Sequence, residues 1–218
     1  MIKSLSYSEL SSFLWNKDEW KSRYIDGISE PPNDKMILGK IVHQSLEDEK
    51  YPWLMALKQQ LPQQNPIPIR KILNKMSSKV APAREVRVTA TTKDGTGLLA
   101  YWDGFDKKER VLYEYKTSAE LNQWQPWKVD FNRQLSMYAY MYKLKWHNFF
   151  REIRLFYLNT EKGTVETFLT ARGPRDIDLV AREIKDAVAE MRSLGLWEKR
   201  LTKSQRALES QGKLNLAH

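Results

Sequence analysis

Val111-Leu112-Tyr113-Glu114-Tyr115-Lys116-Thr117 decides the fold of this chain. β-branched and aromatic residues dominate it and it alternates with period two, so it reads as a strand with Glu114 and Lys116 on one face. Upstream lies a second apolar run, Gly97-Leu98-Leu99-Ala100-Tyr101-Trp102-Asp103-Gly104-Phe105, and the polar stretch Asp106-Lys107-Lys108-Glu109-Arg110 between them reads as a hairpin turn. A two-residue loop at Lys108 and Glu109 sets Lys107 opposite Arg110, Phe105 opposite Leu112 and Asp103 opposite Glu114. Two carboxylates then face each other with Lys116 beside them. Opposed residues have Cβ atoms roughly 5 Å apart, close enough for their oxygens to share a divalent cation. A one-residue slip would send Asp103 to the other face.

Glu-x-Lys alone is weak evidence of chemistry, because many solvated sheet faces carry Glu and Lys at alternate positions. Composition narrows the possibilities. The chain has 218 residues, suited to one domain, with eight Trp, ten Tyr and seven Phe to fill its core. It has no cysteine, which excludes disulfides, thiolate zinc sites, iron–sulfur clusters and cysteine nucleophiles. With three histidines, one of them terminal, a histidine-only zinc site is disfavoured, and a hard, oxygen-loving metal is expected. A net charge of +9 and a pI near 9.5 favour a polyanionic partner, nucleic acid being the commonest, against the alternative of a merely basic protein. No apolar run approaches the roughly 20 residues needed to span a bilayer, and no signal arrangement opens the chain, so the expected location is the cytoplasm of a bacterium or phage-infected cell, without a membrane partner.

Along the chain, Ser6-Tyr7-Ser8-Glu9 reads as a capping box, and Leu10, Phe13, Leu14, Trp20 and Tyr24 continue an apolar helical face. A Pro31-Pro32 loop leads to a second helix, Met36–Glu47, which carries His43; a lone helical histidine is more often structural than a ligand. Residues 59–69 read as a connector and 70–80 as a short basic helix. Arg84–Ala90 alternates as a strand, so three consecutive antiparallel strands are expected. Glu85 on the first of them faces either the carboxylates or solvent, and a supporting role is favoured. A loop carrying Trp124 leads to a long helix over Trp127–Trp146 with Phe131, Leu135, Tyr138 and Tyr142 as its stripe and Gln134 one turn from Tyr138. Trp124 and Trp127 are candidates to stack on unpaired bases, with burial against the sheet the equal alternative. A hairpin over Arg151–Thr170 and a helix opened by Pro174 follow. From Glu198 the tail, with Lys199, Arg200, Lys203, Arg206 and Lys213 against Glu198 and Glu209, is basic and reads either as an arm adding nonspecific DNA affinity or as a frayed end. The expected organisation is one domain over residues 1–197 and a tail over 198–218.

The series Gly39-x-x-x-His43, Asp103, Glu114-Tyr115-Lys116 and Gln134-Leu135-x-x-Tyr138 resembles the RecB-like branch of the PD-(D/E)XK nuclease superfamily, which includes small phage and mitochondrial exonucleases and CRISPR-associated single-domain nucleases. The likeness covers roughly residues 1 to 170. It implies an α/β (α+β), restriction-endonuclease-like core, with a central mixed sheet containing the three antiparallel strands and flanked by helices. It also implies that His43, Asp103, Glu114 and the Tyr115 carbonyl bind metal, that Lys116 orients the attacking water, and that Gln134 and Tyr138 support the site and the nucleic-acid path. Members with an iron–sulfur cluster carry cysteines at both ends of the domain; this chain departs from them there and is expected to hold no cluster.

Carboxylates that hold Mg²⁺ or Mn²⁺ and a lysine beside them match what phosphodiester hydrolysis requires: an activated water and neutralisation of charge growing on the phosphate. The expected activity is a metal-dependent deoxyribonuclease acting from the ends of linear single- or double-stranded DNA in recombination, repair or phage DNA processing. A non-catalytic DNA-binding subunit of a recombination assembly and a structure-specific endonuclease are the alternatives. The sequence identifies no protein partner.

Overall fold

The computed structural model describes residues 4–28, 30–120, 123–198 and 200. Its centre is a six-stranded mixed sheet: β1 (Ser4–Leu5), β2 (Ala83–Thr91), β3 (Gly97–Asp106), β4 (Val111–Ser118), β5 (Glu152–Asn159) and β6 (Thr164–Thr170). The helices α1 (Tyr7–Trp15), α2 (Lys17–Tyr24), α3 (Asp34–Glu47), α4 (Trp53–Gln60), α5 (Pro66–Met76), α6 (Pro126–Asp130), α7 (Arg133–Trp146) and α8 (Pro174–Ser193) flank it. Because β4 and β5 pair in parallel, both of their faces are covered and both are apolar. Leu112, Ile153 and Leu155 face a core shared with α1, α2, α7 and α8, while Val111, Tyr113, Tyr115 and Phe156 face a second core shared with α3, α4 and α5.

β3 organises the site. One of its edges pairs antiparallel with β2 from Gly97 to Phe105, with a break at Asp103. The other edge is shared: β1 takes its start, Ser4 on Gly97 and Leu5 on Leu98, and β4 takes its end, Gly104 on Tyr113, Phe105 on Leu112 and Asp106 on Val111. Between those two partners β3 and β4 part, and the ladder stops one step before Asp103 and Glu114. The three antiparallel strands and the hairpin register are therefore as the sequence predicts. The loop differs: it has four residues, 107–110, not two, with Arg110 left-handed at φ 54° and the Asp106 carboxylate accepting from the Glu109 N–H at 2.9 Å. Adding one residue on each side leaves the pairing sum unchanged, so the longer loop preserves the register.

Local chemistry explains the other departures. The first predicted helix is two, because the Asn16 side chain accepts from the amides of Asp18 and Glu19, both at 3.1 Å, and starts α2 afresh. The long helix is likewise two: Asn132 accepts from the Leu135 amide at 3.1 Å and restarts the backbone as α7. Phe131 falls at that elbow and is 77% exposed, so it does not belong to the apolar stripe. Part of the expected connector is helical, in α4 and α5. At the chain's end, Arg200 is buried rather than part of a basic arm: its Nη1 lies 2.7 Å from the Glu9 carboxylate, and its guanidinium covers the Trp197 ring at 3.6 Å. Lys199 and the rest of the expected arm, with Lys203, Arg206 and Lys213, lie outside the described residues. Among the described residues no helix is long and apolar enough to cross a membrane.

Candidate active site

Where β3 and β4 separate, a side chain takes over the ladder. Asp103 Oδ2 accepts from the Tyr115 backbone N–H at 2.7 Å, and its other oxygen, Oδ1, lies 3.3 Å from His43 Nδ1. His43 comes from α3, which packs on the second core, with its ring edge-on to Tyr115 at 6.0 Å. Gly39, one turn earlier, is what allows α3 so close: a Cβ there would stand 2.9 Å from Thr117 Oγ1. The Gly-x-x-x-His spacing thus brings one helical turn against β4 and aims the next at Asp103.

Glu114 and Lys116 leave β4 on the face opposite the Tyr115 ring, the side of α7. Glu114 is 2% exposed, with Oε1 2.6 Å from Lys116 Nζ and Oε2 buried without a hydrogen-bonding partner. Lys116 also donates to Gln134 Oε1 at 2.8 Å, Gln134 Nε2 donates to the Tyr138 hydroxyl at 2.7 Å, and that hydroxyl lies 3.4 Å from the Tyr101 carbonyl oxygen. Gln134 and Tyr138 work as a pair because they sit one turn apart at the start of α7. The gap in the sheet lets α3 and α7, on opposite faces, serve one cleft.

Burial pushes the Glu114 carboxyl up to about 7, against the pull of Lys116. Burial would lower Lys116, but the charges of Glu114 and Asp103 outweigh it and hold the ammonium above its ordinary range. For His43, burial is again outweighed, by the hydrogen bond and charge of Asp103 and by Glu114, so the imidazole titrates above its usual value. A buried carboxylate oxygen with no partner, within the electrostatic reach of Asp103 and His43, offers the kind of hard oxygen donor that a divalent cation takes. In this arrangement Glu114 is drawn to Lys116, and among the described residues no three acidic or histidine side chains converge on one point.

The remaining expected residues divide. Tyr115 turns its ring into the second core, against Phe156, and contributes its amide to Asp103. Glu85 stands in β2 between the pairs Arg84–Gly104 and Val86–Trp102, level with Asp103, with a left-handed φ of 44°. Its carboxyl meets that of Glu47 at the end of α3, and this hydrogen bond is the main cause that raises Glu47 to about 7. Trp124 is partly buried against the first core, whereas Trp127 is 60% exposed. Sequence reasoning missed Glu47, which no local pattern marks, and Arg172, a buried arginine that ties the elbow before Gln134 in place. It also missed Tyr7: it lines a pocket between α1, α7 and α8, and its field reaches Lys116.

The profile of the PD-(D/E)XK nuclease superfamily matches residues 4–206. Among solved structures, the chain is similar to a protein from Eubacterium rectale called "Putative exonuclease", with a TM-score of 0.57, 9% identity, and coverage of 97% of this chain and 83% of that one. At that identity the likeness concerns the fold. No curated protein matches the chain.

Proposed function

The chain belongs to the PD-(D/E)XK nuclease superfamily, and on that premise we propose that it hydrolyses phosphodiester bonds of DNA with Mg²⁺ or Mn²⁺, working from the ends of linear molecules. The observation that carries this reading is the buried Glu114 carboxylate, paired on one oxygen with Lys116 and free on the other, at the point where the strand bearing Asp103 leaves it. A sheet face that merely needed solubility would not bury a carboxylate in this way.

Asp103, Glu114, His43 and the Tyr115 carbonyl would hold the cation, which supplies neutralisation of the phosphate and favours hydroxide. Lys116 stays protonated in the field of the two carboxylates and places its N–H groups where a water can be oriented and where negative charge grows on the phosphate. Gln134 fixes the direction of the Lys116 ammonium, and Tyr138 fixes Gln134. The +9 net charge draws the polyanion in. Action from ends is supported by the absence of recognisable sequence-reading inserts in the sequence and by the name of the structural neighbour.

The test is incubation of purified protein with end-labelled linear and covalently closed circular DNA, single- and double-stranded, in Mg²⁺, Mn²⁺ or chelator. Loss of label from linear DNA only, and only with cation, is the expected result. Efficient cutting of closed circles would make it an endonuclease, and tight binding with no cutting under any condition would make it a DNA-binding subunit.

A further inference from the structure

We propose that Trp127 and Phe131 form a stacking platform for the unpaired terminal bases of single-stranded DNA entering the cleft. This inference rests on the nuclease reading for its direction, but not for its test.

Trp127 and Phe131 lie four residues apart on α6 and its C-cap, so both rings leave the same side of one turn. They are 60% and 77% exposed, although the same short segment buries Val129 to 1%. Two large rings held toward water one turn apart are a feature that a structural turn does not require.

The elbow beneath them is fixed. Arg172, 5% exposed, donates to the carbonyls of Val129 at 2.6 Å and Asn132 at 3.3 Å and to Ser136 Oγ at 3.0 Å, while Thr170 Oγ1 donates to Asp130 Oδ1 at 2.8 Å. Burial lowers the Arg172 guanidinium from its ordinary range, as expected for a cation surrounded largely by neutral acceptors. The rings are therefore presented on a preorganised backbone, which reduces the ordering cost of binding.

Three observations select single-stranded DNA as the occupant. The platform adjoins the site along the chain: Phe131 stands three positions before Gln134, which touches Lys116, a path of at most roughly 11 Å of extended chain. A cation accompanies the rings, with Lys128 Nζ 5.7 Å from the centre of Trp127, as in surfaces that combine base stacking with backbone charge, while Arg133 beside the elbow is paired with Glu183 at 3.1 Å. Two aromatic side chains bury at most about 500 Å² together, below the roughly 800 Å² per partner of a stable protein interface.

The test is binding in chelator, where no cleavage intervenes. Fluorescence anisotropy with labelled oligothymidylate and with a blunt-ended duplex compares the wild-type chain with the double variant Trp127→Ala/Phe131→Ala. Affinity for the single strand should fall by about tenfold or more, and affinity for the blunt duplex by less than about twofold, because phosphate contacts elsewhere are kept. Oligothymidylate should also quench wild-type tryptophan fluorescence, and Trp127→Phe should abolish most of that quenching while keeping affinity within about threefold, since a ring remains to stack. An unchanged single-strand affinity, equal losses on both DNAs, or quenching that survives in Trp127→Phe would each overturn the proposal. Because cation is absent, failure here leaves the cleavage assay untouched, and a chain that never cleaves DNA would leave this result standing.

Discussion

The Asp103 carboxylate accepts the Tyr115 backbone N–H at 2.7 Å, so the side chain of one strand replaces the next rung of the ladder between β3 and β4. The same group thereby holds the fork open and presents its second oxygen to His43. These two duties separate by mutation. Asp103→Asn keeps an acceptor and should keep stability close to wild type while losing cation-dependent cleavage. Asp103→Ala leaves a part-buried N–H without a partner and should cost about 1–3 kcal/mol as well. Thermal melts and single-turnover cleavage of both variants decide it; equal melting temperatures would show that the Tyr115 bond does not hold the fork.

Lys116 shares the site but not the role of Asp103. Lys116→Ala should leave calorimetric cation binding largely intact and slow the chemical step on the order of a hundredfold or more, about 3 kcal/mol of transition-state stabilisation. DNA affinity should change little, since Lys116 is one of 36 Lys and Arg residues. A Lys116→Ala protein that cleaves at the wild-type rate would reduce the Glu-x-Lys strand to a structural feature.

Gly39→Ala tests the approach of α3 to β4. In an unconstrained helix interior the change gains about 1 kcal/mol, but here the new methyl meets Thr117 Oγ1 at 2.9 Å and must push α3 away. Cleavage should drop about tenfold as His43 leaves Asp103, a misplacement effect of the kind that ångström shifts produce. The double variant Gly39→Ala/Thr117→Ala, which removes the obstructing hydroxyl, should recover most of the rate; no recovery would place the defect elsewhere.

Glu47 sets a pH dependence. Its carboxyl is raised to about 7 by the hydrogen bond with Glu85, so between its ordinary value near 4.5 and 7 the folded state holds more proton than the unfolded one. Stability from this pair is therefore present at low pH and lost as pH rises through about 7. Glu47→Gln carries a permanent donor and should show a shallower fall in melting temperature from mildly acidic to neutral pH than the wild type. Parallel curves for the two proteins would contradict the shared proton.

The end of the chain divides at Arg200, whose buried contact with Glu9 joins the last described residue to α1. Removing everything after Arg200 should leave the melting temperature nearly unchanged and flatten the salt dependence of DNA binding, as expected for lost phosphate contacts. Arg200→Ala should instead destabilise by about 3 kcal/mol, because the buried ion pair with Glu9 and the packing on Trp197 are lost together. A chain ending at Arg200 that melts like Arg200→Ala would assign the stabilising contacts to the tail.

The hairpin of β3 and β4 was legible because periodicity is local: alternation fixes which residues share a face, and the pairing sum survives a loop longer by two. The order of His43, Asp103, Glu114, Lys116, Gln134 and Tyr138 along the sequence was enough to suggest the family, since each sits in a motif with its own spacing. Breaks at Asn16 and Asn132 were readable in principle, as asparagine is a strong cap, but apolar periodicity ran through both and masked them. Only the tertiary structure decided that β1 and β4 divide one edge of β3, because strand pairing between distant segments leaves no local pattern. It alone brought Glu47 to Glu85 and Arg200 to Glu9, and placed helices from opposite faces at one gap. The reason is that these contacts depend on how separate elements pack, with sequence separations of tens of residues or more, whereas the strand that opens the site depends only on residues two apart.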